Sequence, residues 1–355
     1  MYGNVDPADP ESDLVLVRKH SFADFQEGEH LVGLTVTYDD HIAWISNYNR
    51  VGILSPDFSY APDPLQLPGN GEVEHENKLI TNSFALHESG GIYIVNSLYM
   101  CKAQWDGEDK SLTLQWATKY HDVEPSIYWG RFGPGSGSSP TLMGTQENGL
   151  PEYVVITDGS KRMNILFFDA ATGELVGKEP VTFGHKTQST QSEQSVVVSG
   201  YKAVVVNNWF GDLEVNKLCH LMKLMKKIWP DAKWLSDKTV QGCPFLLGQY
   251  ALGVEQFEIS TDSSGNTTVA SVWHKDDSSC TSSIPVVSEK DSTFYCIGKR
   301  DRTFTLEAID WVTGEQKWFK DLGYTKNPFY AGAEIGTDND LLVGTLLGPV
   351  RVVGG

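Results

Sequence analysis

Along most of the chain, short apolar runs alternate with polar turns, and the runs are too brief and too numerous for helices. Residues 92–95, 153–157, 195–198, 203–206, 293–297 and 341–345 are the clearest of them. Between many stand hairpin punctuators such as Ser89-Gly90-Gly91, Ser199-Gly200 and Thr337-Asp338-Asn339-Asp340, whose glycines and short polar side chains suit tight reversals. The pattern predicts an all-β protein. One stretch departs from it. Between 212 and 229 the apolar residues Leu218, Leu221, Met222, Met225, Ile228 and Trp229 fall at helical spacing, with Asp212 placed to cap the start and Pro230 to stop the end. Lys217, Lys223, Lys226 and Lys227 share its other face. The expectation is an amphipathic helix packed over one sheet with its lysines in solvent; a lid or a docking surface is the alternative.

An internal period gives the strands an architecture. A small polar residue opens a short strand, a turn follows, and a second apolar strand returns. The plan recurs in Asn82-Ser83-Phe84-Ala85-Leu86, Ser138-Ser139-Pro140-Thr141-Leu142, Gln194-Ser195-Val196-Val197-Val198 and Ser282-Ser283-Ile284-Pro285-Val286. Gly332-Ala333-Glu334-Ile335 is a weaker copy, and 30–37 reads as the opening strand of a first unit. Six units of roughly fifty residues result, the fourth lengthened by about thirty that hold the helix. Four antiparallel strands need about that length, and six such units in a ring make a six-bladed β-propeller. Small residues at the opening position suit it, because the innermost strands crowd around one axis. The last unit is one strand short. Residues 14–18 are expected to supply it, removing an open sheet edge, with 1–13 a flexible tail, 14–355 a single domain and the insertion at about 212–240.

A second repeat lies in the outer strands. Phe168-Asp169-Ala170-Ala171-Thr172-Gly173-Glu174 matches Ile309-Asp310-Trp311-Val312-Thr313-Gly314-Glu315. Asp caps such a turn through its side chain, Gly accepts a positive φ, and the return strand carries an aromatic such as Trp318. This hairpin resembles the repeat of quinoprotein-like (PQQ-type) β-propellers, and the longer stretches 135–144, 154–164 and 192–208 resemble an uncharacterised propeller family. The resemblance implies fold and not cofactor. PQQ enzymes of that superfamily have eight blades and a vicinal disulfide against the cofactor; this chain has six units and no adjacent cysteines, which argues against PQQ.

Charge narrows the partners. The chain has 28 Lys and Arg against 46 Asp and Glu, a net of -18. That disfavours nucleic acid, and an anionic membrane as the main partner, since both reward positive charge. No apolar run is long enough to span a bilayer, and the first twenty residues lack the features of a signal peptide. Five cysteines leave one thiol over: Cys219 and Cys243 bracket the insertion, and Cys280 and Cys296 fall in neighbouring strands. Two disulfides plus a free Cys101 would fit an extracytoplasmic protein, five thiols a cytosolic one. The acidic surface, abundant Trp and pairable cysteines lean toward an extracytoplasmic or secreted origin with its leader removed.

The candidate chemistry lies at the axis. GxSxG, HExxH, the P-loop and a GxGxxG ahead of a helix are all absent. Aligned by the opening residue, Asn82, Ser138, Gln194, Ser282 and Gly332 form one ring. Thr81, Gly137, Glu193, Thr281 and Ala331 form the next, with Glu334 just beyond. Glu193, Asn82 and Glu334 make an oxygen-ligand set suited to Ca2+. Glu193 sits where polar sequence turns abruptly apolar, so it is the candidate metal ligand or general base, with His185 overhanging the tunnel mouth. Tyr128, Trp129 and Arg131 precede the Gly-rich segment 133–139 and could line that mouth for stacking on a flat ligand. Two functions follow. One is a non-enzymatic propeller binding a small molecule, carbohydrate or protein at its top face or central tunnel. The other is a small-molecule hydrolase or lyase at the tunnel mouth, assisted by Ca2+.

Overall fold

The computed structural model of the 355-residue chain describes residues 2–353, apart from 7, 10, 70–79, 122–130, 186–188, 210–216, 237–238, 241, 248–249, 302 and 338–339. Among the described residues, antiparallel sheets follow one another in chain order. The first is β3 (Leu31–Val36), β4 (Ile42–Ser46), β5 (Arg50–Leu54) and β6 (Leu65–Gln66). The second is β7 (Ala85–Leu86), β8 (Gly91–Val95), β9 (Tyr99–Asp106) and β10 (Ser111–Lys119). The third is β11 (Thr141–Met143), β12 (Tyr153–Thr157), β13 (Asn164–Asp169) and β14 (Leu175–Pro180). The fourth is β15 (Val197–Ser199), β16 (Lys202–Val206), β17 (Val254–Thr261) and β18 (Thr267–Lys275). The fifth is β19 (Val286–Ser288), β20 (Thr293–Arg300), β21 (Thr303–Asp310) and β22 (Gln316–Gly323). The last has three strands, β23 (Ala333–Ile335), β24 (Leu341–Val343) and β25 (Val350–Val352).

The core lies between sheets and not within one. Ile45 and Ile53 of the first sheet meet Ile92 and Ala103 of the second, and Tyr93 and Met100 of the second meet Ile156 and Phe168 of the third. Phe167 packs with Val205 and Phe257 of the fourth sheet, Val204 and Val254 with Phe294 of the fifth, and Ile297 and Leu306 with Val343 of the last. Middle strands are therefore covered on both faces, which is why β4, β8 and β12 read as unbroken apolar runs and not as alternations. First strands gather side by side, β11 against β15, β15 against β19 and β19 against β23. A parallel bridge between Ile284 and Gly332 aligns two of their approaches.

The outer hairpins are built as their sequence requires. Asp169 Oδ1 accepts from the backbone N–H of Ala171 and Thr172 at 3.0 and 2.7 Å, and Asp310 Oδ1 from Val312 and Thr313 at 2.9 Å each. Gly173 and Gly314 hold φ of 77° and 75°.

Two expectations are corrected. Residues 14–18 do not complete the last sheet: β2 (Leu14–Leu16) pairs with β1 (Tyr2–Asn4) in a separate two-stranded ribbon. A local hairpin closes a shorter loop than docking on the far end of the chain, and Leu14, Val15 and Leu16 all remain exposed. The second correction concerns helix α1 (Lys217–Ile228), which lies between β16 and β17. Its apolar residues were expected to be covered, yet Cys219 alone among its residues is fully buried. Met222 and Met225 are partly covered, against Leu235, Val240 and Cys243 and the rings of Phe329 and Tyr330. Leu218, Leu221, Leu224, Ile228 and the following Trp229 face outward. A disulfide between Cys219 and Cys243 ties α1 to the short helix α2 (Cys243–Leu246). That bond holds α1 by the Cys219 side, and among the described residues no sheet strand packs on the row of Leu218, Leu221, Leu224 and Ile228.

Candidate functional site

Antiparallel order fixes which loops share an end. Turns from first to second and from third to fourth strand lie at one end of the sheets; turns from second to third and the crossings between sheets lie at the other. That second end collects the segments leading into β7, β11, β15, β19 and β23, together with α1. The two rings of residues aligned in the sequence belong to these entry segments, whereas Glu334 lies on β23 itself.

Glu193 and Arg131 come together there. Arg131 Nε lies 3.5 Å from Glu193 Oε1, with side chains only 2% and 3% exposed. The Phe132 N–H donates to Glu193 Oε2 at 3.2 Å, and the Glu193 N–H donates to Asn208 Oδ1 at 2.7 Å. Burial drives the Glu193 carboxyl up to about 7, against the opposing pull of Arg131 and the Phe132 N–H. Arg131 also donates to the carbonyl oxygens of Gly133, at 3.4 Å, and Gly135. The Gly-rich segment makes this approach possible: a Cβ on Gly137 would meet Ser192 O and lie 2.6 Å from Glu193 Oε1, and one on Gly135 would strike the Ser97 backbone.

Tyr330 belongs to the same cluster, and sequence reasoning missed it. Its hydroxyl is shielded from solvent, and its ring meets Phe132 edge-on at 5.7 Å. Burial first, and the Glu193 charge second, push its phenol well above the ordinary value, while Arg131 pulls the other way. Phe329 and Tyr330 both hold positive φ, 46° and 67°, an uncommon conformation for aromatic residues. The signal was an aromatic pair ahead of the Ala333 copy, as Tyr128-Trp129 stands ahead of Ser139.

Other predicted residues stitch one entry segment to the next. Asn82 Nδ2 donates to Ser136 O at 2.7 Å and Ser138 O at 3.3 Å. Ser138 Oγ accepts the Thr157 N–H at 2.8 Å. Gln194 Nε2 donates to Cys280 O and Thr281 O at 3.1 and 2.6 Å. Ser282 O accepts the Tyr330 N–H at 2.9 Å. With the Arg131–Glu193 pair, these bonds run as a belt of stitches from the second sheet to the last. A disulfide joins Cys280 to Cys296 of β20 at the same level, and Cys101 is a buried thiol pushed up to about 12 by desolvation.

The remaining candidates are scattered. His185 is 42% exposed and its Nε2 lies 3.9 Å from Asp276 Oδ2, just past β18. Glu334 is exposed on β23. Tyr128 and Trp129 lie outside the described residues. Among the described residues, no group of three or more His, Cys, Asp or Glu side chains could hold a metal ion. No helix among them is long and apolar enough to cross a membrane.

No family model matches the chain. It is 36% identical over 340 residues to an uncharacterized protein of Archaeoglobus fulgidus, which covers 92% of this chain. The chain spans 61% of that relative's length. Among solved structures, Sqt1 of Saccharomyces cerevisiae superposes with a TM-score of 0.52 at 10% identity, covering 90% of this chain and 70% of that one. BamB from Moraxella catarrhalis gives 0.48 at 13% identity, with coverage of 92% and 78%. Successive four-stranded antiparallel sheets packed face to face, with first strands gathered together, and the likeness to the propeller Sqt1 make this chain a β-propeller.

Proposed function

We propose that the chain is a six-bladed propeller scaffold that binds a partner through its top face, the end bearing the entry segments and the helical insertion, and that it performs no chemistry there. One observation carries the reading: a disulfide-held helix presents Leu221, Leu224 and Ile228 to solvent on that face, where an uncovered apolar row marks an interaction surface. The polar residues at the axis support it, because Asn82 and Gln194 spend their amide hydrogens on neighbouring backbone. The two disulfides favour an oxidising, extracytoplasmic setting. A photo-crosslinker at position 224, compared with one at the exposed Val312 of the β21–β22 turn on the opposite end, tests the reading. Adducts confined to position 224 in extracts of the source cells support it; equal labelling at both positions, or none, removes it.

A hydrolase or lyase is the second reading, favoured by one feature. A buried carboxyl titrating at about 7 has the protonation behaviour of a general base. Ca2+ is not carried forward, because the Arg131 guanidinium already supplies the cation beside Glu193. Glu193→Gln removes the base while keeping its shape. Turnover of any substrate that the variant abolishes, with its melting temperature held, would replace the scaffold reading by this one.

A further inference from the structure

The apolar side of helix α1 is broad, and the fold covers one part of it and leaves the other in solvent. The inner one, Cys219, Met222 and Met225, rests on the disulfide core and on Phe329 and Tyr330. The outer one is a row of Leu218, Leu221, Leu224 and Ile228, about half exposed, with spacings of three and four that keep it on one side of the helix. Beyond it Met225, Ile228, Trp229, Pro230, Asp231 and Trp234 line an open groove of about 630 Å³, and Trp229 and Trp234 are 56% and 63% exposed. Charge on this element is one-sided: its twelve residues include four lysines and no Asp or Glu. Lys217, Lys223 and Lys227 are exposed. All this sits on a chain of net charge -18.

We propose that this insertion docks the propeller onto the surface of an anionic lipid bilayer, the outer leucine row and the two tryptophans entering the interface and the flanking lysines meeting headgroup phosphates. The proposal rests on the top-face docking reading and names its partner. A helix lying in an interface needs one apolar stripe, aromatic edges that are half apolar and half polar, and long cationic side chains that reach back to the headgroups. Leu221, Leu224, Trp229 and, at the edges of the row, Lys217 and Lys227 supply each of these. The acidic remainder of the chain opposes the contact little, because charges farther than about 8 Å are screened at physiological salt; Asp231 is a carboxylate at the groove itself, set against the four lysines of α1. Self-association is disfavoured by the same charges: a two-fold contact through this row would bring the lysines of both copies together.

Sedimentation of the 355-residue chain with vesicles decides the matter. Vesicles of phosphatidylcholine and phosphatidylglycerol in equal parts are compared with phosphatidylcholine alone. Binding is expected with the anionic vesicles and should weaken as salt is raised. Lys217→Glu with Lys227→Glu should weaken partitioning about tenfold or more, and Leu221→Asp with Leu224→Asp roughly a hundredfold. Both pairs alter exposed side chains, so the circular dichroism and disulfides of the variants should match the parent. Failure of the parent to sediment with anionic vesicles, or sedimentation of both variants like the parent, overturns the proposal. If crosslinks to protein at position 224 persist in either case, the bilayer is wrong and the top face is still a docking face. If those crosslinks are absent as well, both readings fall.

Discussion

Arg131 and Glu193 form a buried ion pair, 3.5 Å between Nε and Oε1, that ties the segment entering β11 to the segment entering β15. The pair makes stability pH-dependent in a particular direction. Glu193 is held at about 7 in the fold against 4.5 as its ordinary value, so the folded protein binds that proton more tightly than the unfolded chain. Its contribution is complete below about 4.5 and is lost as pH rises through about 7. Denaturant unfolding between those limits should show the parent losing up to about 1.4 kcal/mol per pH unit relative to Glu193→Gln. Parallel pH profiles for parent and variant would contradict the assignment.

Gln194 and Asn82 are predicted to be stitches and not ligand groups. Gln194→Leu strips two backbone carbonyls of a buried donor and should cost about 1–3 kcal/mol. Asn82→Ala, at a half-buried position, should cost less. Urea midpoints measure both effects. Neither change should alter crosslinking at position 224, and a stable variant that lost that contact would give the residue a binding role instead.

The disulfides predict a thiol count and a local effect. Denatured without reductant, the chain should show one reactive thiol, Cys101. Cys219→Ser should release the segment from α1 to α2, whose small core consists of little beyond Leu235, Val240 and the two sulfurs. The bond's contribution is about 3 kcal/mol for a loop of this size. Hydrogen exchange should therefore quicken across 217–247 while β13 and β20 keep their protection. Uniform loss of protection would mean that this segment and the sheets unfold together.

These outcomes bear on what the sequence could tell. The strand plan was legible because each unit repeats it locally: Ser83, Ser139 and Ser195 each stand two residues ahead of β7, β11 and β15. Glu193 was legible as a buried carboxylate from the change of polarity around it. Arg131 was visible only as part of an aromatic loop, since its pairing with Glu193 is made across two sheets and leaves no local pattern. The N-terminal strand failed for the opposite reason. Its short apolar run, Leu14 to Val17, fits any free sheet edge, and the nearest one, Tyr2–Asn4, took it. Helical spacing in α1 showed that apolar residues share faces but not which face the protein would cover, and the Cys219–Cys243 bond decided that.

Gly137 provides the last prediction, which depends on the first. Its backbone passes so close to the segment entering β15 that a Cβ would press on Ser192 O and on Glu193 Oε1. Neither can give way cheaply, the first being main chain and the second held by Arg131 and the Phe132 N–H. Gly137→Ala should cost about 1–3 kcal/mol as an overpacked site and should displace the Glu193 carboxylate. Gly200, in the β15–β16 turn, is the control: it has a φ of +57° but nothing within 4 Å of its added Cβ, so Gly200→Ala strains the backbone by only about 1 kcal/mol. The two variants then differ in kind. Gly200→Ala should lower stability equally at every pH, whereas Gly137→Ala should also change the slope between about 4.5 and 7 that belongs to Glu193. An unaltered slope in Gly137→Ala would show that the Gly-rich segment does not hold the ion pair in place.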